Sequence, residues 1–242
     1  MDTADFLAAT ARDGAAFADA IEVAGLSAPV AACPGWSTAD LLWHLAEVHH
    51  FWCTIVGDHR DSWEGYEQPV RPAEQELVAF YRDGLSATLA VLAAADPLQP
   101  NWTWSNDHSA GFVIRRMAHE TAIHAWDAQQ AAGLDVALDA ALASDGIDEF
   151  LTHMLGDGTA DAASVGGSVH LHSTDVAGEW TLRPSEVHGF DITREHAKGD
   201  AAIRGAASDI LLALWRRRDL STVDVVGDAA VAARFVAHAS LD

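Results

Sequence analysis

Apolar residues recur every three or four positions through the first two thirds of the chain and at alternate positions in short runs thereafter, so the pattern changes from helical to mixed. Residues 3–23 carry the stripe of an amphipathic helix, and the breaker-rich stretch 29–35 separates it from a second periodic run at 36–57. In that run Leu41, Leu42, Leu45, Val48, Trp52 and Val56 share one arc, and Ser37 with Asp40 supplies a capping-box start. A third helix is predicted over 73–95, ending before Pro97. The loop 96–108, with Trp102 and Trp104, leads to a fourth helix over 111–132, and a fifth covers 138–155. Four long helices with short or medium connectors describe a bundle, an architecture whose core commonly houses metals held between facing helices.

Beyond residue 155 the composition turns to Gly, Ala, Ser and Asp, and 156–167 reads as a linker. Residues 168–172 and 179–183 then read as a hairpin around Val176, Ala177 and Gly178, with further strands at 201–204 and 223–226. A helix capped by Ser208 runs to about residue 217, and a last one starts at Asp228 and ends near His238. The expected organisation is α+β with two domains: a helical bundle over 1–156 and a small α+β domain over 165–242.

Against this framework, three ionisable residues sit where the pattern demands apolar ones. Glu120 and His124 lie four apart, within about 40° on one helix surface, and Val113, Met117, Ile123 and Phe112 flank them. On the second helix, the apolar arc surrounds His49, while His44 lies about 140° away from it. His49 is therefore the histidine predicted to be buried and to meet Glu120 and His124. A lone core histidine is more often hydrogen-bonded than metal-bound. Burying a carboxylate with two imidazoles, however, calls for partners or a cation, and a His2Glu set with open positions is the ligand type of catalytic zinc. Asp127, about 20° from Glu120, is placed to orient a ligand or bound water, and Arg116 to hold Glu120 or an anionic substrate. An ordinary i, i+4 surface pair is the alternative for each. The segment HETAIH places its two histidines five apart, which excludes the HExxH arrangement of a metalloprotease. His153, His170, His172, His188, His196 and His238 show no helical pairing, although His170 and His172 share a strand face. Surface or domain-interface roles, in preference to a second metal, are the reading for these.

Composition narrows the function. With 242 residues and half of them hydrophobic, the chain has ample material for a core. A net charge of −22, from 14 basic against 36 acidic residues, argues against phosphate-backbone binding and so against nucleic acid. No apolar run has the length of a membrane span, and Asp2 and Asp5 stand where a secretory signal would be basic, so the expected location is the cytoplasm with no membrane partner. Cys33 and Cys53 form neither a disulfide framework nor a C-x-x-C pair, and any thiol chemistry must use an external thiol.

Four segments carry a resemblance that covers nearly the whole chain: CPGWSTADLLWHLAEVHHFW at 33–52, GFVIRRMAHETAIHAWDAQ at 111–129, ASDGIDEFL at 143–151 and IRGAASDILLALWRR at 203–217. The chain resembles the mycothiol-dependent maleylpyruvate isomerase family, in which a DinB-like metal-binding four-helix bundle precedes a small α+β domain similar to sterol-carrier proteins. The resemblance implies a divalent metal, zinc foremost, held by His49, Glu120 and His124, and mycothiol as thiol cosubstrate. It implies that a thiolate adds to the double bond of an electrophilic small molecule, that rotation follows, and that elimination gives the trans isomer. A mycothiol S-transferase, releasing a thioether, would use the same activated nucleophile. A metal hydrolase using bound water and a small-molecule binding protein stay open as well, as do a monomer and a homodimer. Arg216, Arg217 and Arg218 are the densest source of positive charge for an anionic substrate, with placement at a helix C-terminus as the alternative.

Overall fold

In the computed structural model, which describes residues 1–155 and 162–239, the chain divides into two compact units, Met1–Val136 and Ala137–Asp242.

The first unit is built from α1 (Thr3–Ala24), α2 (Thr38–Gly57), α3 (Leu77–Ala94) and α4 (Ala110–Ala131). Each start except that of α3 is set by a side chain that accepts an otherwise orphaned backbone N–H: Asp2 for α1, Ser37 for α2 and Ser109 for α4, with reciprocal capping boxes through Asp5 and Asp40 on the first two. Helix α1 packs along α4 and α2 along α3. The core between them holds Phe17, Ile21, Leu41, Leu42, Leu45, Leu77 and Tyr81. Gly14 lets α1 approach α3, since a Cβ there would lie 2.6 Å from Leu85. By length and composition the segment Glu74–Ala94 is apolar enough to cross a membrane. In this fold its buried residues Leu77, Tyr81, Leu85, Thr88 and Leu92 recur at helical spacing and pack against α1 and α2, as a bundle helix does.

The second unit contains α5 (Ala140–Glu149), which continues through a π-helical turn at Phe150–Met154, and a sheet of β1 (Val169–Ser173), β2 (Glu179–Ser185), β3 (Gly189–Thr193), β4 (Ala201–Gly205) and β5 (Asp224–Gly227). With it go α6 (Ala207–Leu214) and α7 (Ala229–His238). The strand order is β3-β2-β1-β4-β5, and β1 and β4 run parallel while the other neighbours are antiparallel.

Several boundaries differ from expectation, each for a local reason. Helix α5, expected with the bundle, belongs to the second unit and packs on α6. Of the expected linker, residues 156–161 lie outside the described residues, whereas Ala162–Val165 form a 3-10 turn that buries Ala162 and Val165. Strand β3, hidden by the polar run 185–189, went unpredicted. Ser208 is not a cap: α6 starts two residues earlier, and the Ser208 hydroxyl accepts from Leu138 N–H instead. Arg216, with φ 55°, ends that helix in the left-handed region.

Candidate metal centre

Glu120 and His124 stand one turn apart on α4, and the third member of their group comes from α2. It is His44. The donor atoms of His44, Glu120 and His124 all lie within 4.8 Å of one another. Glu120 Oε1 is 3.4 Å from His44 Nε2 and 3.2 Å from His124 Nε2. These two separations match the edge of a tetrahedron, about 3.3 Å, that ligand bonds of about 2.0–2.1 Å produce around zinc.

His49, expected with Glu120 and His124, does not join the group. It is fully buried, as its apolar surroundings required. Its ring stacks on Tyr81 of α3 with centroids 5.6 Å apart, and its Nε2 lies 2.9 Å from Thr121 Oγ1. His44 and His49 are five residues apart on α2, about 140° around the helix, so the rotation that seats one in the core between α3 and α4 presents the other to Glu120. His50 is also engaged elsewhere, with Nδ1 2.8 Å from the Tyr66 hydroxyl.

The surroundings of the group support it as a unit. Arg116, only 4% exposed, donates from Nη2 to Glu120 Oε2 at 3.0 Å, and His124 Nδ1 meets Asp127 Oδ2 at 3.0 Å. The latter is the carboxylate–histidine contact that fixes ring orientation, with Nε2 turned toward Glu120 Oε1, where a cation could take it as a ligand. Burial opposes ionisation of Glu120, but the charge of His124, hydrogen bonds from His124 and His44, and the Arg116 guanidinium together hold its carboxyl well below the usual range. Burial likewise opposes a charged His124, yet Glu120 and Asp127 raise its pKa to about 9. Burial takes His49 the other way, down to about 4, against the pull of Glu120 and with a smaller push from the charge of His124. The arrangement thus holds a positive charge between Glu120 and Asp127, at the place where a divalent cation would displace the proton from His124. Donor type, spacing and oriented second nitrogen all fit a cation of zinc-like preference.

A cavity of about 540 Å³ opens beside the group and is lined by His44, Val48, Phe51, Trp52, Trp63 and Tyr66 with Glu47 and Gln68. His44 belongs to both cluster and cavity. Trp102 stands behind this wall, stacked on Trp52 with centroids 6.0 Å apart and edge-on to Phe51, whereas Trp104 packs on Phe112 and is half exposed. Neither tryptophan lines the cavity. Trp63, Tyr66 and Gln68 lie in the connector between α2 and α3, where no periodicity marks them, and sequence reasoning missed them. Within the second unit Arg216 donates to the α7 carbonyls of Val236 and Ala237, and Arg218 pairs with Asp209 at 2.7 Å. For these two arginines the helix-terminus and ion-pair reading describes the contacts.

A four-helix bundle presenting two histidines and a glutamate to one point beside an aromatic cavity, followed by an α+β unit, defines a class of two-unit proteins with a candidate His2Glu centre. Residues 7–129 match the family described as "Mycothiol maleylpyruvate isomerase N-terminal domain", and residues 141–234 match the "MDMPI C-terminal domain". The chain belongs to the mycothiol-dependent maleylpyruvate isomerase family. The junction between the two matches agrees with the division after Val136. Among solved structures, a mycothiol-dependent maleylpyruvate isomerase superposes with a TM-score of 0.61 at 13% identity, over 95% of each chain. A histidine-to-alanine mutant of a mycothiol-dependent maleylpyruvate isomerase gives 0.58 at 11%, again over 95% of each chain. At such identities the likeness establishes the two-unit fold. No curated protein matches the chain.

Proposed function

We propose that the protein is a metal-dependent enzyme that activates mycothiol as a thiolate for addition to an electrophilic small molecule, in a cis–trans isomerisation like that of maleylpyruvate isomerase. His44, Glu120 and His124 hold the cation in this reading. Zinc bound there would lower the pKa of an incoming thiol so that it reacts as thiolate near neutral pH. The residues of the chain do the rest. Asp127 holds the His124 ring through Nδ1, and Arg116 fixes Glu120 through Oε2, so both donors are oriented before anything binds. Trp52, Phe51 and Trp63 supply apolar walls for the bound electrophile. The observation that carries the proposal is the convergence of three donors within 4.8 Å of one another beside a cavity of about 540 Å³, a volume suited to a small molecule.

One feature of the cavity favours the second reading, a mycothiol S-transferase. Among the described residues that line it there is no Lys or Arg, and Glu47 adds a negative charge. An uncharged electrophile fits such walls better than a dianion such as maleylpyruvate, and addition or displacement then ends in a released thioether.

The test is metal analysis of the purified protein combined with turnover of maleylpyruvate and of uncharged electrophiles, with and without mycothiol. Isomer formation with mycothiol regenerated supports the first reading, and a mycothiol thioether detected by mass spectrometry supports the second. Turnover that needs the metal but no thiol, or activity untouched by His44→Ala, overturns both.

A further inference from the structure

The sheet of the second unit carries a separate cluster of donors. His170 and His172 alternate along β1 and so project from one face, while Val169 and Leu171 are buried on the other. In the antiparallel register His172 stands opposite Glu179 of β2 and His170 opposite Thr181. The connector between β3 and β4 brings His196 over the same face. Thr181, fully buried, holds that connector by donating its hydroxyl toward the carbonyls of Glu195 and Ala197, at 3.2 and 3.5 Å, on either side of His196.

We infer that His170, His172, Glu179 and His196 form a second divalent-cation site, with zinc-like preference, that fastens the β3–β4 connector to the β1–β2 hairpin. One ligand atom from each of the four lies within 4.8 Å of the others. Glu179 sits centrally, with Oε1 2.5 Å from His172 Nδ1 and Oε2 3.1 Å from His196 Nδ1. The independent pointer to a ligand is His170. Its side chain is more than nine-tenths buried and its Nε2 makes no hydrogen bond, the nearest charged oxygen being Glu179 Oε2 at 3.9 Å. A buried ring nitrogen without a partner is costly, and a cation would satisfy it. The ring of His196 stands edge-on to that of His170 at 5.0 Å, so the imidazoles surround a shared point instead of stacking on one another. Three imidazoles and one carboxylate select zinc, cobalt, nickel or copper over magnesium or calcium, which take oxygen ligands. Four protein donors make a closed site of the structural kind. The role is therefore to pin a loop, and the chemistry stays in the bundle.

The experiment uses the full chain carrying His124→Ala, which removes a ligand from the bundle centre, stripped with chelator and titrated with ZnCl2 by calorimetry. One equivalent of zinc is expected to bind, and cobalt in its place is expected to give the visible absorption of a tetrahedral site. Adding His196→Ala is expected to weaken zinc at least about 10-fold, the loss that removing even an outer partner produces. Because His196 is 76% exposed on a connector, this change leaves the core intact. Adding Glu179→Gln serves as the second variant, with circular dichroism as the folding control, and is expected to weaken zinc likewise. A His124→Ala chain that binds no zinc tighter than about 100 µM would overturn the inference, as would an affinity that both added substitutions leave unchanged.

Discussion

The bundle and the sheet each gather histidines around one glutamate, but they do so by different geometry and with different support. On α4 a spacing of four residues aligns Glu120 with His124, and the third donor has to come from another helix. On the sheet a spacing of two aligns His170 with His172, and cross-strand register delivers Glu179. The bundle group is braced by a buried arginine and a buried aspartate and meets a cavity through His44. The sheet group is braced by a threonine and includes a largely exposed histidine. Three donors beside a cavity leave coordination positions for reacting molecules, whereas four donors close the shell. The contrast teaches that the number of protein donors and the space beside them, more than donor identity, separate a centre for chemistry from a clasp.

The sharpest way to break this comparison is to remove each glutamate. Glu120→Gln is expected to lower thiol-dependent turnover by more than about 100-fold, beyond the range for an outer partner, while Glu179→Gln leaves it within about twofold. Steady-state kinetics on both variants measure the difference, and equal losses would erase the distinction drawn here.

Next in size is the stability held by His49. Its folded pKa of about 4 lies below the unfolded 6.5, so the unfolded chain binds the extra proton first as pH falls. Its contribution is therefore intact above about pH 6.5 and is lost as pH drops toward 4, by up to about 3 kcal/mol. Urea unfolding at neutral pH and near pH 4.5 should show this slope in the wild type and a shallower one in His49→Gln. That variant should also retain its metal, since His49 is bonded to Thr121 and not to the cluster.

Asp127→Asn probes the brace. Removing the carboxylate from His124 Nδ1 is expected to weaken metal binding at the bundle centre by about 10–100-fold with folding preserved. A competition titration with a chromophoric chelator reads this out, and an unchanged affinity would show that the contact does not orient the ligand. The smallest effect falls on the sheet. Thr181→Val deletes one loop-holding hydroxyl of nearly equal volume, worth about 1 kcal/mol or about fivefold in zinc affinity there.

Much of this molecule is legible in one dimension. The capping residues Ser37 and Asp40, the apolar stripe of α2, the pairing of Glu120 with His124, and the positions of Arg116 and Asp127 follow from periodicity within a single element, because i, i+3 and i, i+4 neighbours touch whatever the rest of the chain does. The alternation that sets His170 beside His172 is local in the same sense. Burial of His49 was legible too, since an apolar arc on a helix has to face a core. Its ligation was not. An apolar arc says which side of a helix is inside, but a site needs only one edge of that side. The rotation of α2 against α3 and α4 decided that His49 lies on Tyr81 and Thr121 while His44 reaches Glu120. In the same way only the tertiary fold could place α5 with α6, deliver His196 over β1 through the Thr181 anchor, and assemble Trp63 and Tyr66 with Trp52 into one cavity. Local spacing is dictated by backbone geometry within a few residues, whereas contacts between distant elements depend on how all their faces pack at once, and no periodicity along the chain encodes that.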